Sequence, residues 1–382
     1  MAGRHRRRAG GLQCRRLSFG MTNVPPLKSR RHLLATGAAT ALALGAAASA
    51  RAQTATSPTP APSGATPAGW NDGLAHPIPF TPPPGAGKER GLALGGGGVY
   101  LLSWMMGYFH TLKQGGVDLA TADIIVGTSA GSMAGAMLSG GRLWRLTGEL
   151  DLLGDFPKIF AELVPALKAN VSQQRARQMA VDASDAEPAT IRAIGRAAMA
   201  ARNPDDAAGY AKTVGRLIGS GGWPSPRLHT TANDCYSGER LVVSQDAGIA
   251  IETACAASSS LPGSMGPTWL KDRLCMDGGI CQTSTHCDVV AGTRRALVIS
   301  LSDGGPQAVA QGLRTSGMPN TLQQEVRNLE AGATRTRLVV VGLPPGVDRI
   351  DSIMDPKWIT PMLKYGRERG AADLAGMKAF WN

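Results

Sequence analysis

Ser129 stands between two glycines in the stretch DIIVGTSAGSMAGAML, Asp123 to Leu138. An apolar run enters Gly127-Thr128-Ser129-Ala130-Gly131, and a run rich in alanine and methionine leaves it. That is the pattern of a buried parallel strand, a sharp turn and a tightly packed helix. A serine at such an elbow needs Gly127 and Gly131 around it, because the turn is strained and a Cβ at either position would strike the neighbouring strand or helix. The chemistry on offer is a hydroxyl nucleophile. A second stretch, Gly95-Gly96-Gly97-Gly98, also lies between a short apolar run and a helix-like one. A glycine run at a strand-to-helix turn leaves backbone N–H groups free and pointing the same way near the positive end of a helix, where an oxyanion can be held. This stretch lacks the Lys-Ser/Thr of a P-loop, and Tyr100 occupies the third glycine position of a dinucleotide fingerprint. The third stretch, Met276-Asp277-Gly278-Gly279-Ile280, offers a carboxylate at the end of the run RLCMD, with Gly278 and Gly279 allowing close backbone approach beside it. Taken singly, each has a plainer reading: a strand-to-helix turn, a glycine turn without a ligand, a solvated turn aspartate. Their order along one chain is what favours chemistry.

The elements that must position these residues are legible as alternating strands and helices. RGLAL precedes the glycine run and VYLLSWMMGYFHTLKQ follows it. Further strands are predicted at Arg227 to Ala232, Arg240 to Ser244, Ala296 to Leu301 and Arg337 to Val341, with a helix at Thr321 to Ala331. Alternation of this kind predicts an α/β fold with a mainly parallel sheet. Residues 141–222 show leucine, isoleucine, alanine and methionine at helical spacing and end in the breaker GSGGWPSP, which predicts a helical cap over the sheet. Residues 53–88, dominated by proline, alanine, threonine and glycine, are expected to form a linker, which leaves 89–382 as the folded domain.

The 382 residues are 43% hydrophobic and 18% charged, enough for a large domain with a real core. The formal charge of +12 is a property of one end. Residues 1–52 hold ten lysines and arginines and no acid, leaving thirty basic against twenty-eight acidic residues elsewhere. Nucleic acid is therefore not an expected partner of the domain. Within the leader, Arg30-Arg31 precedes a mild apolar run, Leu33 to Ala50, that closes on Ala48-Ser49-Ala50 and Ala50-Arg51-Ala52. It resembles a twin-arginine export signal cleaved near Ala50 or Ala52, with a retained membrane anchor as the alternative. A start at Met21 would give a signal of ordinary proportions. The expectation is an exported protein, periplasmic or secreted, whose partner on the way out is the twin-arginine machinery. Beyond Cys14, the cysteines Cys235, Cys255, Cys275, Cys281 and Cys287 are odd in number and form no Cys-x-x-Cys pair, so buried free thiols are expected in place of a zinc site.

The ordered set resembles the patatin-like phospholipase family, and the resemblance runs from Arg90 to about Trp381. It includes WPSPRLHTTANDCYSGERLVVS after the cap, ACAASSSLPGSMGPTWLKDRLCMDGGI leading to the aspartate, and MDP with YGRERG near the end. The resemblance implies a three-layer α/β/α fold with a mainly parallel central sheet and a helical cap. It further implies a Ser-Asp dyad acting on lipid esters, with no metal or organic cofactor. Ser129 would attack the ester carbonyl, Asp277 would take its proton, and the Gly96, Gly97 and Gly98 amides would hold the oxyanion. The expected partner is a lipid or ester substrate, met at a membrane surface. Two departures stand out. Tyr100 and Leu101 replace a cation and a glycine common after the glycine run, and Thr285-His286-Cys287-Asp288 stands where members often show Thr-Asn-Ala-Asp. Two rival readings follow: a Ser129, Asp277, His286 triad, and a lipid-binding protein on the same scaffold whose oxyanion loop Tyr100 and Leu101 have spoiled.

Overall fold

Leu92 and Leu94 of the first strand face one way and Ala93 the other, and this period of two sorts the core into layers. A computed structural model describes residues 71–143, 169–201, 206–219 and 221–382. The expected leader, residues 53–70 of the expected linker, and residues 144–168, 202–205 and 220 of the expected cap lie outside them.

Strands β1 (Arg90–Leu94), β2 (Ile124–Gly127), β3 (Leu228–Asp234), β7 (Arg295–Ser300) and β8 (Arg335–Val340) form a parallel core in the order β3-β2-β1-β7-β8. Three antiparallel strands complete the sheet: β4 (Arg240–Val243), β5 (Thr268–Leu270) and β6 (Arg273–Asp277). On one face, Leu92, Leu94, Ile125, Leu297 and Ile299 pack with α1 (Gly98–Gln114), α2 (Ala130–Ser139) and α8 (Ile359–Trp381). On the other, Ala93, Ile124, Val126, Ala296 and Val298 meet Val289, Val290 and α7 (Leu322–Ala331). Three layers result, α/β/α, with a mixed and mostly parallel sheet. Helix α1 is buried along nearly its whole length, which is why its sequence lacks a polar stripe. Where α8 crosses it, a Cβ on Gly107 would come within 2.2 Å of the Leu363 carbonyl oxygen, so the small residue permits the close approach.

The expected cap is helical where it is described. Helix α3 (Val171–Val181) opens with a capping box between Asn170 and Gln173. Helix α4 (Pro188–Ala200) has proline in its first turn, and α5 (Asp206–Ile218) follows it. Ala180, Ile191 and Ile194 pack on Cys235, Met276 and Ile280, which covers the end of β6.

The linker expectation is too long at its C-terminal end. Residues 71–88 are packed on the domain: Leu74 is buried, Ala75 bridges Leu241, and Phe80 stacks on His76. The cause is a pair of buried arginines that composition does not reveal. Arg240 donates to the carbonyls of His76 (3.0 Å) and Pro77 (2.7 Å), and Arg273 pairs with Asp72 (2.6 Å). A proline-rich stretch without regular structure has free carbonyls, and the Arg240 guanidinium captures two of them while Arg273 holds the stretch through the Asp72 carboxylate.

Candidate active site

The elbow is built as its glycines require. Ser129 has φ 53° and ψ −119°, a left-handed conformation that a non-glycine residue holds only under constraint. A Cβ on Gly131 would sit 2.1 Å from the Leu94 carbonyl oxygen, and one on Gly127 would sit 2.4 Å from that of Gly131. β1, β2 and α2 therefore close on the turn from both sides. The Ser129 N–H donates to Ser258 Oγ at 2.9 Å, and Ser129 is nearly buried.

Asp277 arrives by a different route. Thr230 of β3 pairs with both Gly127 and Val243, and Ala232 pairs with both Asp277 and Leu241. With β4 on one edge of β3, the other edge carries β2 first and β6 after it. The last residue of β2 and the last of β6 thus lie two β3 positions apart. Asp277 is 4% exposed, its carboxylate accepts from the Gly279 N–H at 2.7 Å, and the Ser129 hydroxyl is near enough to act on its charge. Burial pushes it up to about 6, against those two groups, which favour the charged form. Gly278 lies against Thr231, whose Oγ1 would be 2.4 Å from an added Cβ.

The glycine loop lies directly over the serine. A Cβ on Gly96 would meet Ser129 Cβ at 3.2 Å. Gly95 donates to the Ile299 carbonyl, whereas among the described residues no hydrogen bond engages the N–H of Gly96, Gly97 or Gly98. Gly98 has φ 58°, and a side chain there would strike Met354 and the Ile353 carbonyl. Tyr100 and Leu101 leave this loop intact. Both are fully buried, and the Tyr100 hydroxyl reaches away to the Gly342 carbonyl at 3.0 Å. Gly96, Gly97, Gly98, Ser129, Asp277 and Gly279 line one pocket, whose walls include the apolar Val99, Leu102, Met133 and Leu301.

Two contributors escape the sequence reading. Ser258, the last residue of α6 (Ile251–Ser258), joins both turns: its hydroxyl accepts from the Ser129 N–H, and its carbonyl accepts from the Gly278 N–H at 3.3 Å. Thr128 and Thr231 join them again through their hydroxyls, 2.7 Å apart. The only visible trace is the serine run ending ACAASSS and the Thr-Thr pair of β3.

His286 stands elsewhere than the triad reading puts it. The triad reading needs it beside Ser129, but it is fully buried behind the Asp-Gly-Gly turn and does not line the pocket. Its Nδ1 faces an Arg240 guanidinium N–H at 3.4 Å, so it accepts there, and Nε2–H donates to the Gly278 carbonyl at 3.1 Å. Burial, with Arg240 beside it, lowers the imidazole to about 4 and keeps it neutral. Arg240 is itself held by Asp288 at 2.7 Å. His286→Ala leaves the buried Gly278 carbonyl without its donor and is expected to cost about 1–3 kcal/mol of unfolding free energy, read from denaturant melts.

The five cysteines of the domain are buried free thiols. Among the described residues no cluster of histidine, cysteine and carboxylate side chains has the grouping of a metal site.

Comparison with known proteins adds a family. The model of the patatin-like phospholipases matches residues 92–285, a span that holds both Ser129 and Asp277. Two solved structures are similar at low identity. The type III effector ExoU is 16% identical over 77% of this chain and 54% of its own, with a TM-score of 0.32. VipD from Legionella pneumophila is 13% identical over 77% of this chain and 68% of its own, with a TM-score of 0.35. The chain thus spans about half of ExoU. No curated protein matches the sequence.

Proposed function

The chain belongs to the patatin-like phospholipase family, and from that premise we propose that it is a serine acyl hydrolase that cleaves carboxylic ester bonds of lipids through Ser129 and Asp277. One observation carries the reading: Ser129 and the buried carboxylate of Asp277 line one pocket beneath glycine amides that have no hydrogen-bond partner among the described residues. Ser129 Oγ attacks the ester carbonyl carbon as its proton passes to Asp277. The carbonyl oxygen becomes an oxyanion held by the Gly96, Gly97 and Gly98 amides, each worth on the order of 3 kcal/mol in the transition state. Collapse expels the alcohol, which takes the proton from Asp277, and leaves the acyl group on Ser129. Water then repeats the sequence and releases the fatty acid, while a second alcohol in its place would give acyl transfer. The apolar wall of Val99, Leu102, Met133 and Leu301 suits an acyl chain. The Arg30-Arg31 leader supports export through the twin-arginine machinery, which would put the folded enzyme outside the cytoplasm.

A fluorophosphonate, which phosphonylates activated serines, tests the nucleophile directly. Peptide mapping is expected to find the label on Ser129, and a folded protein that takes no label there contradicts the reading. The base has its own signature. Only ionised Asp277 accepts the proton, and its carboxylate form fills as the pH rises through about 6. Accordingly kcat/KM on a p-nitrophenyl ester should climb about tenfold per pH unit below that value and level off above it. A flat profile from about pH 5 to about pH 8 would remove Asp277 as the base.

A further inference from the structure

A second cavity adjoins the pocket over Ser129. Leu261, Ser264, Arg314, Thr315, Ile353 and Met354 line both. Arg314 is the single cation lining the first pocket among the described residues, as Asp277 is its single acid. Its backbone is pinned by a hydrogen bond to the Ala308 carbonyl at 3.2 Å. Its side chain is part-buried, and among the described residues no carboxylate or other acceptor reaches it. Burial alone acts on the guanidinium, lowering its pKa with no acid to oppose it. A desolvated cation without a counter-charge is unfavourable in the empty protein, and an anionic ligand removes the penalty.

The second cavity extends the same character. Arg177 of α3 lines it, its Nε fixed by the Gly263 carbonyl at 3.0 Å and its terminal N–H groups uncommitted among the described residues. Arg349 adds a third cation. The acids on that wall, Asp351 and Asp355, are both taken by Lys357, at 3.3 and 3.0 Å. The net field at the junction is therefore positive. Ser264 and Thr315 place hydroxyls there with no partner among the described residues. One guanidinium fork matches a planar carboxylate, but two arginines with two hydroxyls match the tetrahedral oxygens of a phosphate.

We propose that Arg314, backed by Arg177, is the headgroup subsite of this hydrolase, and that it selects acyl esters whose alcohol carries an anionic phosphate over zwitterionic and neutral ones. The proposal rests on the acyl hydrolase reading, so its test has one arm that needs turnover and one that does not. In the first, the full protein and Arg314→Gln are compared on lysophosphatidic acid, lysophosphatidylcholine and a p-nitrophenyl ester of the same acyl length. The kcat/KM ratio of lysophosphatidic acid to the p-nitrophenyl ester is expected to fall by roughly tenfold or more in Arg314→Gln, with part of it kept in Arg314→Lys. In the second, glycerol phosphate and inorganic phosphate are titrated calorimetrically into Ser129→Ala and into Ser129→Ala/Arg314→Gln. Glycerol phosphate is expected to bind more tightly than inorganic phosphate and to lose its affinity with Arg314. An unchanged substrate ratio, glycerol phosphate binding that is indifferent to Arg314, or inorganic phosphate bound as tightly as glycerol phosphate would each overturn the subsite. Absence of all ester turnover would instead strike the hydrolase reading, while the titrations still decide Arg314.

Discussion

Ser129→Ala and Asp277→Asn are each expected to lower kcat/KM on a p-nitrophenyl ester by roughly a thousandfold or more, as loss of a nucleophile or of its base should. What makes the pair informative is that their stabilities should diverge from their activities. Asp277 is held at about 6 against an ordinary 3.8, because burial disfavours its charge. The protonated form is therefore the one the fold prefers. Its contribution to stability is fully present below the unfolded value and is lost as the pH rises through about 6. At neutral pH the ionised carboxylate costs the folded state about 3 kcal/mol. Asparagine is neutral at every pH and still accepts from the Gly279 N–H. Asp277→Asn should thus melt higher than wild type near neutral pH while being inactive, and the gap should close in acid. An inactive variant that is also less stable would mean that the turn, not the base, had been lost. Wild-type turnover in Ser129→Ala would remove the serine mechanism altogether.

Parts of this site were legible because strain writes itself into local sequence. The elbow needs glycine at 127 and 131 whatever the rest of the chain does, since Leu94 and the first turn of α2 leave no room for a Cβ. The glycine run was legible for a similar reason, although only the fold shows that Gly96 rests on Ser129. Asp277 was visible through its order after the elbow and the family resemblance, because an aspartate before two glycines is ordinary in a turn. The joints between the turns were not legible. Ser258 lies 129 positions from Ser129, and Thr231 lies 103 from Thr128. Such contacts follow from the way β3 hands its edge from β2 to β6, which no local pattern records. The place of His286 was not legible for the same reason: its acceptor, Gly278, and its donor, Arg240, meet it only in three dimensions. The linker boundary failed on chemistry of a different kind. Proline-rich composition correctly denied regular structure to residues 71–88, yet irregular backbone still packs when buried arginines supply donors.

Arg273→Met is expected to cost about 3–5 kcal/mol, more than any surface ion pair in the molecule could explain. Arg273 is 1% exposed at the start of β6, four residues before Asp277, and it meets three carboxylates. Asp234 pairs with it at 3.0 Å, Glu239 at 2.9 Å and Asp72 at 2.6 Å. The three are not equivalent. Asp72 and Glu239 retain 24% and 30% of their side-chain exposure and can turn to water, whereas Asp234 keeps 1%. Without the guanidinium, Asp234 would be a buried charge with, among the described residues, only the Tyr236 and Ser237 amides to hold it. The penalty is thus one of stranded charge more than of lost attraction, and the two accounts can be separated. If charge is the cause, adding Asp234→Asn to Arg273→Met should return part of the lost stability, whereas Asp72→Asn alone should cost about 1 kcal/mol or less. If lost packing is the cause, the double variant should be no more stable than Arg273→Met. Denaturant melts decide between them. Ester turnover should fall in step with the Arg273→Met destabilisation, because β6 carries the aspartate and β3, which ends on Asp234, sets its distance from the elbow.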